Sequence, residues 1–275
     1  MTAAMPGAGM NLKALNQLQQ DTWTSGDFPR MGVELTLAGE LLCESVPILA
    51  GQRVLDLATA SGNTALAAAR RRAVVTAIDI TPAMLERARV RAKAEGLQID
   101  FQEGDATALR FPNGSFDVVV STFGAIFAPD PGKTAAEMAR VCRSGGKIAM
   151  ANWTPEGMLG KLFRILARYS PPGTQVDLPI SWGDEEVLRE RLGHYVSDIR
   201  IKRETVRFRS PSAAQWVEFM KSYFGPAIAA FEYCSAEQGR ALEKEMTDLM
   251  REFNRSPDDT ALGESEYLDV AAIRR

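Results

Sequence analysis

Val54-Leu55-Asp56-Leu57-Ala58-Thr59-Ala60-Ser61-Gly62-Asn63-Thr64 reads as a buried strand that ends in an acid, then turns through very small residues into a helix. Small side chains let a ligand approach the backbone closely. At the carboxyl end of a parallel strand, such a turn forms one wall of a ligand crevice. Outward from it, short apolar runs at residues 54–58, 74–80, 99–102, 118–122 and 148–152 alternate with helical spacing at 64–72, 82–95 and 133–142. Strand and helix alternating in this way predict an α/β fold with a mostly parallel sheet and right-handed crossovers.

Two helices are expected before this core, over 11–22 and 31–46, joined by Gly26-Asp27-Phe28-Pro29. Beyond Trp153 the alternation breaks. A helix is expected over 159–169, then Pro171-Pro172-Gly173, a strand over 197–209, helical sequence over 212–253 and a final strand over 267–273. Leu242, Met246, Leu249, Met250 and Phe253 recur at three- and four-residue steps, the pattern of a packing face. With no repeat and no low-complexity linker, the C-terminal part is expected to be woven into one domain with the rest; its parts are a helical cap (1–50), a ligand-binding core (51–153) and a segment (154–275) that completes the sheet and adds helical insertions.

Composition excludes several classes. A formal net charge of −3 over 275 residues offers no basic field for nucleic acid or anionic lipid. The run Arg70-Arg71-Arg72 suits a helix C-terminus, where the dipole favours cations. Cys43, Cys142 and Cys234 show neither metal-ligand nor C-x-x-C spacing and read as reduced thiols, so no metal is expected. Residues 1–10 have no charged or apolar leader character, and no long apolar run occurs. A cytoplasmic protein without membrane insertion is expected, acting on a small molecule; a homodimer is compatible with the sequence.

The ligand chemistry follows from the strand ends. A dinucleotide site needs G-x-G-x-x-G with pyrophosphate at the helix N-terminus. Those places hold Ala58, Ala60 and Asn63, and Asp56 would repel the phosphates, so the turn suits a cationic ligand better. Asp79, ending the second run before Ile80, can accept both hydroxyls of a ribose; Met84 fits either an adenine face or the core. Asp105, within Gly104-Asp105-Ala106, can accept from a purine's exocyclic amine. The fourth run ends in Ser121-Thr122-Phe123-Gly124, small polar residues and an aromatic.

In order and spacing these segments resemble the class I S-adenosylmethionine-dependent methyltransferases over about residues 54–153. Trp23-Thr24-Ser25-Gly26-Asp27-Phe28 is similar to a segment of small-molecule members related to ubiquinone and menaquinone biosynthesis. The resemblance implies a Rossmann-like sheet of seven strands, the last antiparallel, with helical cap insertions. It implies that the turn from Asp56 to Gly62, with Asn63, holds the methionine part of S-adenosyl-L-methionine. Asp79 with Ile80 would take the ribose, and Asp105 the adenine amine, with Gly104 and Ala106 beside it; Ser121 and Met84 complete the cofactor set. Trp23 and Phe28 would fold over the sulfonium, which an aromatic face attracts, or serve simple packing. Gly145 and Gly146 fall in the family's turn before the fifth strand. Phe123, Phe127, Asn152 and Trp153 are the candidate acceptor contacts, followed by Trp182, Tyr223 and Tyr233.

No catalytic base is assigned. His194, the single histidine, sits at a helix-to-strand junction away from the strand ends and reads as structural. One departure from the family pattern is the pair Ala58 and Ala60 where glycines are usual. At negative φ the change is mild; at positive φ it costs on the order of 1 kcal/mol. The expected activity is methyl transfer in line to a small, planar or hydrophobic acceptor. The alternatives are a cofactor-holding protein without turnover and, less suited to the turn, a nicotinamide-linked oxidoreductase.

Overall fold

The structure is a computed structural model and describes residues 12–171 and 180–275. The expectations for residues 1–10 and for Pro172-Gly173 lie outside the described residues. Among the described residues, no helix is long and apolar enough to cross a membrane.

In chain order, α1 (Leu12–Thr24), α2 (Phe28–Gly32), a 3-10 turn (Val33–Leu35) and α3 (Thr36–Ser45) precede the sheet. The core runs β1 (Arg53–Leu57), α4 (Asn63–Arg70), β2 (Val74–Asp79), α5 (Pro82–Ala94), β3 (Ile99–Glu103), β4 (Phe116–Thr122), a 3-10 turn (Ala125–Phe127), α6 (Pro131–Val141) and β5 (Cys142–Trp153). Then follow α7 (Met158–Arg168), α8 (Glu185–Gly193), β6 (Val196–Ser210), α9 (Ala213–Tyr223), α10 (Gly225–Tyr233), α11 (Ala236–Phe253) and β7 (Ala261–Arg274).

The seven strands lie in the order β3-β2-β1-β4-β5-β7-β6. The strands from β1 to β5 pair in parallel, and β7 runs antiparallel to both β5 and β6. Such a sheet is covered on both faces, which explains the unbroken apolar runs in its central strands. Leu55, Leu57, Val119, Ile148 and Met150 pack in one cluster with Met138 of α6 and Leu188 of α8. Val54, Val118, Val120 and Ala149 pack in the other with Leu42 of α3, Ala65 and Ala68 of α4, and Leu85 and Ala88 of α5. The alanines of α4, buried on every side, let α3 and the sheet approach closely. Arg70 and Arg71 close this layer at its rim, bonded to Glu40 and Glu44 of α3 and to Glu95 after α5.

The helices start on short-range signals. Asp130 caps α6 through Lys133 N, and Asp184 caps α8 through Glu186 N and Val187 N. Ser235 and Gln238 form a capping box on α11. On that helix Leu242, Met246, Leu249 and Met250 are all buried, the packing face its spacing predicts.

Several boundaries differ from expectation for local reasons. The helix expected over 31–46 is split into α2, the 3-10 turn and α3, and the stretch 212–253 is three helices broken at Phe224 and at Cys234-Ser235. The fifth strand begins at Cys142, not at 148, so Gly145 and Gly146 sit inside a bulge rather than a preceding turn. Pairing jumps there from Phe116 with Cys142 to Val118 with Lys147, and Gly145 takes φ +71°. Gly146 has no room for a side chain: a Cβ would meet Arg143 O and Asp117 O at 2.8 Å. β7 starts at Ala261, well before 267, because Glu264 and Glu266 face Arg207 and Arg203 of β6 and hide its apolar alternation.

Candidate functional site

The carboxyl ends of β1, β2, β4 and β5 open onto a cavity of about 1210 Å³, its mouth included. The β1 turn forms its floor. Asp56 is fully buried, accepts the Thr59 hydroxyl at 2.5 Å, and has its pKa raised to about 7, chiefly by burial and further by Asp79, with Thr59 and the Ala65 N–H opposing. Asp79 Oδ2 accepts Ala60 N and Oδ1 accepts Thr81 N, both at 2.8 Å, so the backbone of two turns orients this carboxylate at the cavity edge. Burial also raises the Asp79 pKa.

Ala58 (φ +52°) and Ala60 (φ +47°) both adopt the left-handed conformation. Both alanines therefore stand where glycine would be unstrained, with of order 1–3 kcal/mol of strain at each. The turn is braced from behind by Arg91 of α5, which donates to Ser61 O at 2.6 Å and Asn63 Oδ1 at 2.8 Å. Asn63 in turn donates to Gly32 O at 2.7 Å and fastens α2 to the core. Arg91 carried no sequence signal, because its partners lie a whole strand–helix unit away.

At the other end, Phe123 takes φ +59° just after β4, and this places its ring on Trp153 at 3.7 Å with the planes 5° apart. Tyr267 meets Phe123 edge-on at 5.2 Å. Trp23 of α1 packs edge-on against Phe28, Phe127 and Phe224, at 5.4, 4.9 and 5.9 Å. These rings form an apolar vault over the strand ends. Tight backbone contact closes it: a Cβ on Gly225 would lie 1.9 Å from Thr22 O, and one on Gly26 2.4 Å from Tyr223 O.

Of the residues named from sequence, Trp23, Phe28, Asp56, Ala58, Ala60, Asn63, Asp79, Ile80, Met84, Gly104, Asp105, Ala106, Phe123, Phe127 and Trp153 line this one cavity. Gly62, Ser121 and Asn152 do not. Gly62 (φ +86°) starts α4, and a Cβ there would press on Leu66 and Ala88, so its role is packing. Ser121 is buried, donating to Leu57 O and accepting from Ala125 N. Asn152 is wholly buried, on the strand face opposite to Trp153. Trp182 lies in the core, Tyr223 accepts a bond from Arg30 at 2.6 Å, and Tyr233 and His194 are exposed away from the cavity.

Asn16 and Gln19 of α1, together with Met31, Leu35, Leu159, Phe163 and Phe224, also line the cavity without having been expected from the sequence. The first two had a legible signal: positions 16, 19 and 23 fall on one helix face. Among the described residues the lining holds three aspartates and no lysine, arginine or histidine. Such a wall suits a ligand that is cationic and rich in donors, and disfavours a pyrophosphate. The oriented Asp79 carboxylate, the Asp105 acceptor and the small-residue turn therefore fit an adenosyl group ending in a charged amino acid.

A profile for a methyltransferase domain matches residues 54–146. An uncharacterized protein of Mycobacterium tuberculosis is 40% identical over 260 residues, covering 92% of this chain and 93% of that protein. A demethylmenaquinone methyltransferase of Thermus thermophilus is 39% identical over 132 residues, 46% of this chain and 58% of that enzyme. A solved N-methyltransferase of Haemonchus contortus, in complex with phosphomonomethylethanolamine and S-adenosylhomocysteine, has a TM-score of 0.61 at 20% identity, covering 96% of this chain and 60% of that one. The acid-ended strands and the sheet order agree with these matches: the chain carries a methyltransferase domain over residues 54–146, and part of it is similar to quinone-biosynthesis methyltransferases.

Proposed function

We propose that the protein binds S-adenosylmethionine in this cavity and methylates a small, neutral, planar or hydrophobic acceptor. The observation that carries the reading is the lining itself: three aspartates at the strand ends, an aromatic vault beyond them, and no cationic side chain among the described residues. Asp79 is oriented to accept ribose hydroxyls, Asp105 to accept an adenine amine, and the turn from Asp56 to Ala60 with Asn63 to hold a methionine end. When bound, the cofactor supplies a methyl group made electrophilic by its sulfonium.

The chain contributes alignment and dryness. Phe123 and Trp153, stacked on each other, with Phe127, Phe163 and Phe224, exclude water and grip a flat acceptor. Holding the acceptor atom roughly 3–3.5 Å from the methyl carbon supplies much of the acceleration without a dedicated base. A lining with no cation among the described residues disfavours carboxylate and phosphate acceptors, which would face the aspartates unpaired.

Incubation with methyl-labelled S-adenosylmethionine and a fractionated metabolite extract tests the reading, with label expected in an organic-extractable, neutral product. A second reading, a protein that holds the cofactor without turnover, draws on the two left-handed alanines. Cofactor binding with no labelled product from any fraction favours it.

A further inference from the structure

The side-chain carbonyl of Asn16 is the only buried side-chain polar atom of the cavity lining that lacks a hydrogen-bond partner among the described residues. The amide nitrogen of the same residue donates to Asp105 Oδ2 at 2.7 Å. A carboxylate only accepts, so this bond fixes which way the amide points and leaves Oδ1 as its free end. Asp105 Oδ1 is already engaged twice, by the N–H and the hydroxyl of Thr107, both at 2.7 Å. With two acceptor positions on each carboxylate oxygen, one remains on Asp105 Oδ2, next to the unpartnered carbonyl. Two neighbouring acceptors without a donor match an amine, which has two N–H groups to give. A hydroxyl offers one and a carbonyl none.

We propose that Asn16 is an adenine-binding residue, which forms with Asp105 a two-acceptor clamp on the exocyclic amine and so ties closure of α1 to occupancy of the cofactor site. The inference rests on the cofactor reading above. An unmet buried acceptor disfavours the closed helix until a donor arrives. The second side-chain bond from α1 to the core, Gln20 Nε2 to Ile80 O at 2.5 Å, serves closure but not recognition.

The test is titration calorimetry with S-adenosylhomocysteine and with S-inosylhomocysteine, whose base has an oxo group in place of the amine. Asn16→Ala is expected to weaken the adenosyl ligand roughly tenfold, the value of about one well-made hydrogen bond, and the inosyl ligand by less than about twofold. Near-native inosyl binding also reports that the variant is folded. Gln20→Ala is expected to weaken both ligands by a common factor. An Asn16→Ala variant that loses both ligands equally, or neither, overturns the clamp. A wild-type protein that binds neither ligand removes the cofactor reading, and the clamp with it.

Discussion

Asp56 places an acid with a pKa of about 7 at the centre of the site. Its folded pKa is raised above the unfolded value, so the folded state holds the proton more tightly. The associated stability is full below about pH 4 and lost as pH rises toward 7. The thermal midpoint of the ligand-free protein is expected to fall between about pH 4 and 7, and Asp56→Asn to flatten that slope; an unchanged slope in the variant contradicts the assignment. Asp79, raised in the same direction, accounts for what slope remains. The strained alanines give a second prediction. Ala60→Gly relieves a left-handed φ and is expected to stabilise by about 0.5–1 kcal/mol, read from the urea midpoint. Ala58→Gly is expected to gain less, because its methyl packs close to Gly124. Asp56 and both alanines were legible as one motif and Asp79 as the end of the next strand; the sign of φ was not, since a residue's type does not settle its backbone conformation.

α1 and α10 lie over the strand ends and close the vault. α1 meets α10 through the reciprocal contacts of Gly26 and Gly225, where a single methyl group collides with backbone. Gly225→Ala is expected to push α1 outward, shift Trp23 emission to the red and weaken S-adenosylhomocysteine by about tenfold or more. Wild-type emission and affinity in that variant would mean the lid does not close along this seam. Strands β1, β2 and β4 were readable because each is a largely buried apolar run; β3, the edge strand with only Phe101 buried, was legible from the strand–helix alternation. β7 was readable only in its buried half, since its first residues alternate with glutamates paired to β6. Asn16 and Gln19 share a helix face with Trp23, and only the covering of that face separates them from a solvated polar surface.

At the scale of the whole chain, β6 and β7 add an antiparallel edge to a parallel sheet, and α7, α9, α10 and α11 pack beside it, supplying Leu159, Phe163 and Phe224 to the vault. The cavity is thus assembled in part from sequence far from the β1 turn, which is why the residues at the strand ends were legible and Leu159, Phe163 and Phe224 were not. Ligand binding to such a site stabilises the entire fold. S-adenosylhomocysteine at a hundred times its Kd is expected to add about 2.7 kcal/mol and raise the thermal midpoint accordingly. The most direct test of the account is calorimetric titration of S-adenosylhomocysteine into the wild-type protein and into Asp79→Ala. Saturable one-to-one binding is expected, weakened about tenfold or more by loss of the carboxylate proposed to meet the ribose. No binding by the wild type, equal affinity in the variant, or tighter binding of NADH than of the adenosyl ligand would contradict it.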